Sequence, residues 1–428
     1  MVLLSHPTGN VNVRQAALAL ADADLLAEFW TCLHWNPTAR TAGWLPARVR
    51  ELLERRVLPP QVRARTQIDP WLEVARLLSS KLGLTALARH ERGIFSVDAV
   101  YRGLDRRIAR RLQTEPVSAL RAVYAYEDGA LATFAAAREY GLQCIYDLPI
   151  GYWRAAQRIY GEEAEREPAW AATIEGVLDS EEKLARKERE IARADLVIVA
   201  SRFTAGTLGE VPNLKAPVAI VPYGAPPVAD EPREPARPGR LRAIFVGALT
   251  QRKGLSYALE AVRRFGDRVE LTLVGAHPAA PCAALEDALR HHRWFPDLSS
   301  AEVLREMRRH DVLLFPSLCE GFGLVILEAL SCGLPVIATP HTGAPDVLTD
   351  GIEGFIVPIR SADAIAEKLE LLLASPAQLA AMKDAATAKA RGLTWERYRA
   401  SIVRLVKSQI DQTPVPRPPQ PRPDSDSR

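Results

Sequence analysis

Apolar residues fall in short runs along this chain, each closed by a turn residue and followed by a stretch of helical or polar character. Val2-Leu3-Leu4-Ser5 is the first such run, and Ala122–Tyr126, Gln143–Tyr146, Asp195–Ala200 and Pro217–Pro222 follow. A second series comprises Leu241–Gly247, Glu270–Val274, Val312–Phe315, Pro335–Ala338 and Gly354–Pro358. Runs this compact read as buried strands. Between them lie helical patterns such as Arg14–Ala23 and Leu255–Val262, the latter with Leu255, Ala258, Leu259 and Val262 at i, i+3, i+4, i+7. Strands alternating with helices predict an α/β fold of doubly wound parallel sheets, with ligands at the carboxyl ends of the strands. Ala225 to Arg240 holds five prolines among alternating charges and fits no packed element. It divides the chain into a first domain, 1–224, a linker, 225–240, and a second domain, 241–394. Residues 411–428 are rich in Pro, Asp and Ser and predict a disordered tail.

The second domain is organised around Leu313–Thr339. A strand ends at Pro316-Ser317, Gly321 and Gly323 bracket Phe322, and an apolar helix over Leu324–Leu330 leads through Gly333 to the next strand. Glu320 stands in the turn and Glu328 inside the helix. Flanked by Val325, Ile326, Leu327, Ala329 and Leu330, Glu328 is expected to be buried, and a buried carboxylate is costly without a hydrogen-bond donor. The free amides from Gly321 to Leu324 begin a helix, which suits an anion. An internal ion pair for Glu328 and a solvated Glu320 is the alternative that the two carboxylates alone leave open.

The run Ser-x-x-Glu-Gly-Phe-Gly-Leu-x-x-Leu-Glu-Ala-Leu from Ser317 resembles the E-x7-E signature of glycosyltransferase family 4, retaining enzymes of GT-B fold, with two Rossmann-like domains facing a cleft. The likeness continues over about residues 240–400, and the first domain resembles the acceptor half of the family. It implies transfer of a sugar from a UDP-, GDP- or ADP-sugar to a hydroxyl acceptor, in polysaccharide or glycolipid synthesis. It further implies that Lys253, beside Gly254 in the turn after the strand ending at Gly247, holds the donor phosphates. The family's arginine often follows that glycine, where this chain has Ala248, so Arg252 is its substitute. Two cations at a helix start are disfavoured by the dipole, and a bound diphosphate reverses the sign. Glu320 would orient the sugar hydroxyls as the third catalytic group. Gly9, Gly247, Ser317, Gly321, Phe322, Gly323, Leu324 and Glu328 would line the donor, with Glu328 on the ribose. No metal ion and no cofactor is implied, because cations and dipoles stabilise the leaving group. The family's histidine near the end of the Gln143–Tyr146 strand is replaced by Asp147-Leu148-Pro149. Glu127, Asp128 and Asp147 are acceptor-side candidates there, or capping acids. A final helix, 395–410, would cross back onto the first domain.

Composition narrows the setting. The 428 residues suffice for two full cores, and 48% hydrophobic with 25% charged is globular. Five Cys with no C-x-x-C suggest reduced thiols and a cytoplasmic protein. No apolar run reaches a membrane span. Net charge is only +3, yet residues 40–111 hold sixteen Lys/Arg against seven Asp/Glu. Read as helical from Ala39 to Leu112, with Arg48, Arg55, Arg56, Arg63 and Arg65 between apolar positions, this region suits an anionic membrane surface or a lipid-linked acceptor. A solvated arginine-rich face is the alternative, and nucleic acid lacks a motif. Rival functions are a glycoside hydrolase using Glu320 and Glu328, a GT-B-like nucleotide-sugar epimerase, and a silent sugar-nucleotide-binding scaffold subunit. Epimerised donor, free sugar or binding without turnover would distinguish them.

Overall fold

The computed structural model describes residues 1–36, 56–174, 179–228, 234, 237 and 239–411. Strands β1 (Val2–Ser5), β2 (Leu26–Thr31), β3 (Thr66–Ile68), β4 (Ala122–Tyr126), β5 (Gln143–Leu148), β6 (Leu196–Val199) and β7 (Val218–Ile220) form one sheet in the order β3-β2-β1-β4-β5-β6-β7. Strands β8 (Leu241–Val246), β9 (Val269–Val274), β10 (Arg293–Phe295), β11 (Val312–Phe315), β12 (Val336–Ala338) and β13 (Gly354–Ile356) form a second, ordered β10-β9-β8-β11-β12-β13. Every pairing within both sheets is parallel. Central strands are apolar on both faces because helices cover both: Val2, Leu3, Leu4, Leu313, Leu314 and Phe315 are fully buried.

Strand order reverses once in each sheet, between β1 and β4 and between β8 and β11. At such a point the loops leaving two adjacent strands diverge to opposite faces and open a crevice. The loops after β8 and β11 hold the two charged motifs of the second domain, so the topology brings Lys253 and Glu320 together.

The helix Trp395–Asp411 returns to the first domain and packs on the helix Val11–Asp22, with Arg399 Nη1 donating to Gln15 Oε1 at 2.6 Å. Where the chain crosses between sheets it does so twice, side by side: the Ala225 amide donates to the Leu393 carbonyl at 2.6 Å, and Ala225 bridges Thr394. Another junction comes from the first half of the sequence. The helix Trp153–Arg166 lays Ala156, Ile159 and Tyr160 into the hydrophobic core of the second sheet, beside Leu255, Leu318 and Cys319.

Three strands, β2, β3 and β10, lie where the apolar pattern marks none. β2 carries Glu28, which accepts from Trp30 Nε1 at 2.7 Å and pairs with Arg111, so its charge is internal to the fold. β3 and β10 are three-residue edge strands, too short for periodicity. The continuous helical reading of 39–112 is corrected. Beyond Arg56 the chain forms a turn, a one-turn helix Pro60–Arg63, β3, the helix Trp71–Lys81, a 3-10 turn and the helix Val97–Thr114. Pro59, Pro60 and Pro70 punctuate it. Arg48 and residues through Arg55 fall outside the described residues, as does the tail from 412. Arg56 pairs with Glu73, Arg65 with Asp24, and Arg63 donates to Asn36.

Candidate functional site

After β8 the chain turns through Gly247 and a 3-10 turn, Gln251–Lys253, into the helix Leu255–Arg263. Gly254 joins the two at φ +69°, and a Cβ there would stand 2.1 Å from the Pro316 carbonyl oxygen. Only glycine lets this loop lie directly against the loop leaving β11. Leu318 N donates to the Arg252 carbonyl at 3.0 Å and completes the contact.

The consequence is a charged cluster. Glu320 Oε2 lies 3.4 Å from Arg252 Nη1 and is ion-paired with Lys253 Nζ. Lys253 and Glu320 are only 11% and 17% exposed, and the ammonium sits 5.0 Å above the Phe315 ring. Burial depresses the Lys253 pKa, and Glu320 opposes that shift. Gly247 borders the lysine stem, 3.6 Å from its Cε by the glycine's ideal Cβ.

Beside this cluster the amides of Gly321, Phe322, Gly323 and Leu324, at the start of the helix Leu324–Ser331, donate to no acceptor among the described residues. Ser317 Oγ and Thr250 Oγ1 are buried and likewise unpartnered there. Glu328 is half-buried, its carboxylate accepts no hydrogen bond and meets no cation among the described residues, and burial alone raises its pKa. The expected arrangement of the two glutamates is thus reversed from the simplest ionic alternative: Glu320 is paired and Glu328 is not. A half-buried carboxylate left without a donor, one turn into the helix whose first amides are free, can accept from hydroxyls of a ligand whose phosphates the cations neutralise.

First-domain residues close over this site. A Cβ on Gly321 would fall 1.8 Å from the Pro149 carbonyl oxygen, so the glycine permits contact between the two halves. The Gly321 carbonyl accepts from Ser201 Oγ (2.6 Å) and Thr204 Oγ1 (3.0 Å), and Asp346 accepts from the Arg202 amide (3.1 Å). Phe322 packs its ring 5.3 Å from that of Tyr223. On the other flank Glu163, fully buried, accepts from Gln251 Nε2 (2.7 Å), Tyr257 OH (2.9 Å) and Arg360 Nε (2.8 Å). Gln251 is held again by Thr173 Oγ1, which accepts from its amide at 2.9 Å. These contacts span 78 to 197 residues of sequence and leave no motif. Glu163 and Gln251, neighbours of the charged loop, are therefore invisible to sequence reasoning.

Other sequence candidates sit elsewhere. Gly9 (φ +58°) donates its amide to His6 Nδ1 at 3.0 Å, so that amide is engaged inside the first domain. The ring, fully buried, is driven down to a pKa of about 3, which keeps Nδ1 an acceptor. Asp128 pairs with Arg186 at 3.1 Å and Glu127 with Lys187 at 3.5 Å, an ion network that includes Asp98 and Asp179. Burial raises the Glu127 pKa, and Lys187 opposes it. Asp147 accepts from Tyr124 OH at 2.7 Å, and burial pushes its carboxyl up to about 7. These three acids are engaged internally and are not gathered with Lys253 and Glu320 by any contact among the described residues. A groove of about 1090 Å³ opens by Arg242, Glu270 and Glu306, and none of the motif residues lines it.

Residues 229–389 match the family described as glycosyl transferases group 1. Among curated relatives, D-inositol 3-phosphate glycosyltransferase of Arthrobacter sp. (strain FB24) is 29% identical over 55% of this chain and 62% of that protein. The putative colanic acid biosynthesis glycosyltransferase WcaL of Salmonella typhimurium is 30% identical over 41% of this chain and 47% of its own length. The chain thus spans less than two thirds of these relatives. Solved structures match nearly end to end. Sucrose-phosphate synthase from Thermosynechococcus elongatus superposes with a TM-score of 0.66 over 96% of this chain and 99% of its own, at 16% identity. HepE of Anabaena in complex with UDP gives 0.59 over 95% and 99%, at 14%. Those likenesses speak for the fold, which is GT-B, and the group 1 match falls on the domain that carries the paired cations and glutamates. The second domain is thus similar to the glycosyl transferases of group 1, and the whole chain has the GT-B fold.

Proposed function

We propose that the protein transfers a hexose from a nucleoside diphosphate sugar to a hydroxyl of a glycan or lipid-linked acceptor, with retained anomeric configuration. The observation that carries this reading is the meeting of Lys253, Arg252 and the vacant amides of Gly321–Leu324 at one switch point. The two cations hold the Glu320 carboxylate, and the free amides of the helix start follow it directly in the chain. A diphosphate offers those cations more negative charge than one carboxylate does. As the bond from anomeric carbon to phosphate oxygen breaks, charge grows on the β-phosphate, where Lys253 and Arg252 are already placed. Glu320, released from them, accepts from sugar hydroxyls. Glu328, unpartnered within the helix among the described residues, accepts from ribose hydroxyls.

No metal ion is needed for charge neutralisation in this scheme. A cytoplasmic location fits five free, buried cysteines. Among the described residues no helix is long and apolar enough to cross a membrane. Relatives named for colanic acid and amylovoran biosynthesis support an acceptor in surface polysaccharide or glycolipid assembly. Incubation with a panel of UDP-, GDP- and ADP-sugars, followed by product separation and anomeric assignment by NMR, tests the proposal. Acceptor-linked sugar of unchanged configuration is expected. Epimerised donor, free sugar only, or binding without any turnover would each refute it.

A further inference from the structure

The described residues expose twelve large apolar side chains, and eight of them lie between Ile68 and Val97. On the helix Trp71–Lys81 and its C-cap, Trp71 (78% exposed), Val74, Leu78 and Leu82 (70%) recur every three to four residues, so one helix face presents them all. The chain then turns at Gly83, around whose Cβ position nothing lies within 4 Å, and presents Leu84. Ile94 and Val97 add to the patch at the start of the next helix. Among the described residues this face is left exposed, and the same helix packs its opposite side, through Leu72, on the helix Val97–Thr114 at Gly103. Isolated exposed leucines are ordinary, but a concentrated stripe marks a surface that is covered in use.

Charge identifies the cover. Trp71–Val97 contains two acids, Glu73 and Glu91, whose side chains are only 1% and 14% exposed. Arg56 and Arg76 neutralise the first, and the Ser180 amide and His90 engage the second. Lys81, Arg89 and Arg92 are exposed and meet no acid among the described residues. The patch is therefore apolar at its centre and cationic at its rim, and Trp71–Val97 itself exposes no acid; the exposed Glu181 and Glu182 lie past its edge, after the Ser180 amide that meets Glu91. We infer that this face, Trp71 to Val97, docks on an anionic lipid bilayer, with Trp71, Leu78, Leu82 and Leu84 entering the headgroup boundary while Lys81, Arg89 and Arg92 meet lipid phosphates. Tryptophan and leucine beside lysine and arginine are the residues that partition there. The inference goes beyond the donor-site reading and does not depend on it.

Flotation of the full chain with vesicles of phosphatidylcholine, with and without phosphatidylglycerol, tests it. Binding is expected only with phosphatidylglycerol, and is weakened by salt. Reversing Lys81, Arg89 and Arg92 together to Glu lowers the partition coefficient about 10²-fold or more, since each cation is worth roughly 1 kcal/mol at such a surface. The triple change Trp71→Ala, Leu82→Ser, Leu84→Ser lowers it at least about tenfold, from lost apolar burial. All six residues are exposed, so circular dichroism should match wild type. Absence of binding by wild type, or binding unaltered in the apolar variant, overturns the inference. Self-association that the apolar variant abolishes, without vesicle binding, overturns it in favour of a second copy as the cover. Vesicle binding by wild type that transfers no sugar from any donor would uphold this inference and count against the donor reading alone.

Discussion

Glu320 engages the cations that a diphosphate requires. Removing its charge should therefore tighten binding of a bare pyrophosphate, the opposite of what deletion of a ligand contact does. The Coulomb energy of the 3.4 Å Arg252–Glu320 contact is about 5 kcal/mol at an effective dielectric near 20. Most of that is returned as hydration when the carboxylate is released. Exposed pairs net about 0.2–1 kcal/mol, and hydrogen bonds to charged groups about 1.5–3. With side chains 11–23% exposed, this cluster belongs between those limits, near 1–2 kcal/mol. Glu320→Gln should then bind inorganic pyrophosphate about 5–30-fold more tightly by titration calorimetry. Turnover with the full sugar nucleotide should fall, because an amide is a poorer acceptor for sugar hydroxyls than a carboxylate. Pyrophosphate affinity that is unchanged or weaker in Glu320→Gln would show that Arg252 and Lys253 are not the anion's partners.

Lys253→Ala should cut kcat by about 10²–10³-fold, as for loss of one preorganised charge stabiliser, measured by nucleoside diphosphate release. Gly321→Ala places a methyl 1.8 Å from the Pro149 carbonyl. The halves must part, so small-angle scattering should show a larger radius of gyration and activity should fall at least about tenfold with secondary structure retained, since sub-ångström misplacement at a reacting centre is costly. Asp147 is held up to about 7 by burial, so the folded state keeps a proton that the unfolded chain releases above the ordinary carboxylate value. Its contribution is full at acid pH, declines as pH rises and is lost above about 7. Thermal denaturation of Asp147→Asn against wild type should therefore show a difference that grows in the variant's favour from pH 5 to pH 8, by up to a few kcal/mol. A difference independent of pH would contradict this.

Much of the second domain is legible in the sequence because its functional groups lie on two short loops with glycines at forced positions. A Cβ at Gly254 or Gly321 would stand 2.1 or 1.8 Å from a backbone carbonyl oxygen, and such requirements leave glycine-marked turns that can be read in one sequence. Glu320 and Glu328 are read from local context in the same way. The first domain is less legible. Glu127, Asp128 and Asp147 stand at strand ends as expected, yet long-range partners (Lys187, Arg186, Tyr124) decide what each does, and those pairings follow from packing. Glu163 shows the limit most clearly. A glutamate within Trp153–Arg166 reads as one of several on an amphipathic helix, and only the docking of that helix into the second core turns it toward Gln251, Tyr257 and Arg360.

The side-by-side passages at Ala225 and Leu393–Thr394 mean that everything from the linker to the last helix is topologically an insertion into the first unit. Such a segment is joined to the first unit covalently at only two adjoining passages, like a page held at its spine. Two cuts a few ångströms apart in space would sever it covalently, and a foreign donor cassette spliced in its place would need those two joints together with an apolar seat for Ala156, Ile159 and Tyr160.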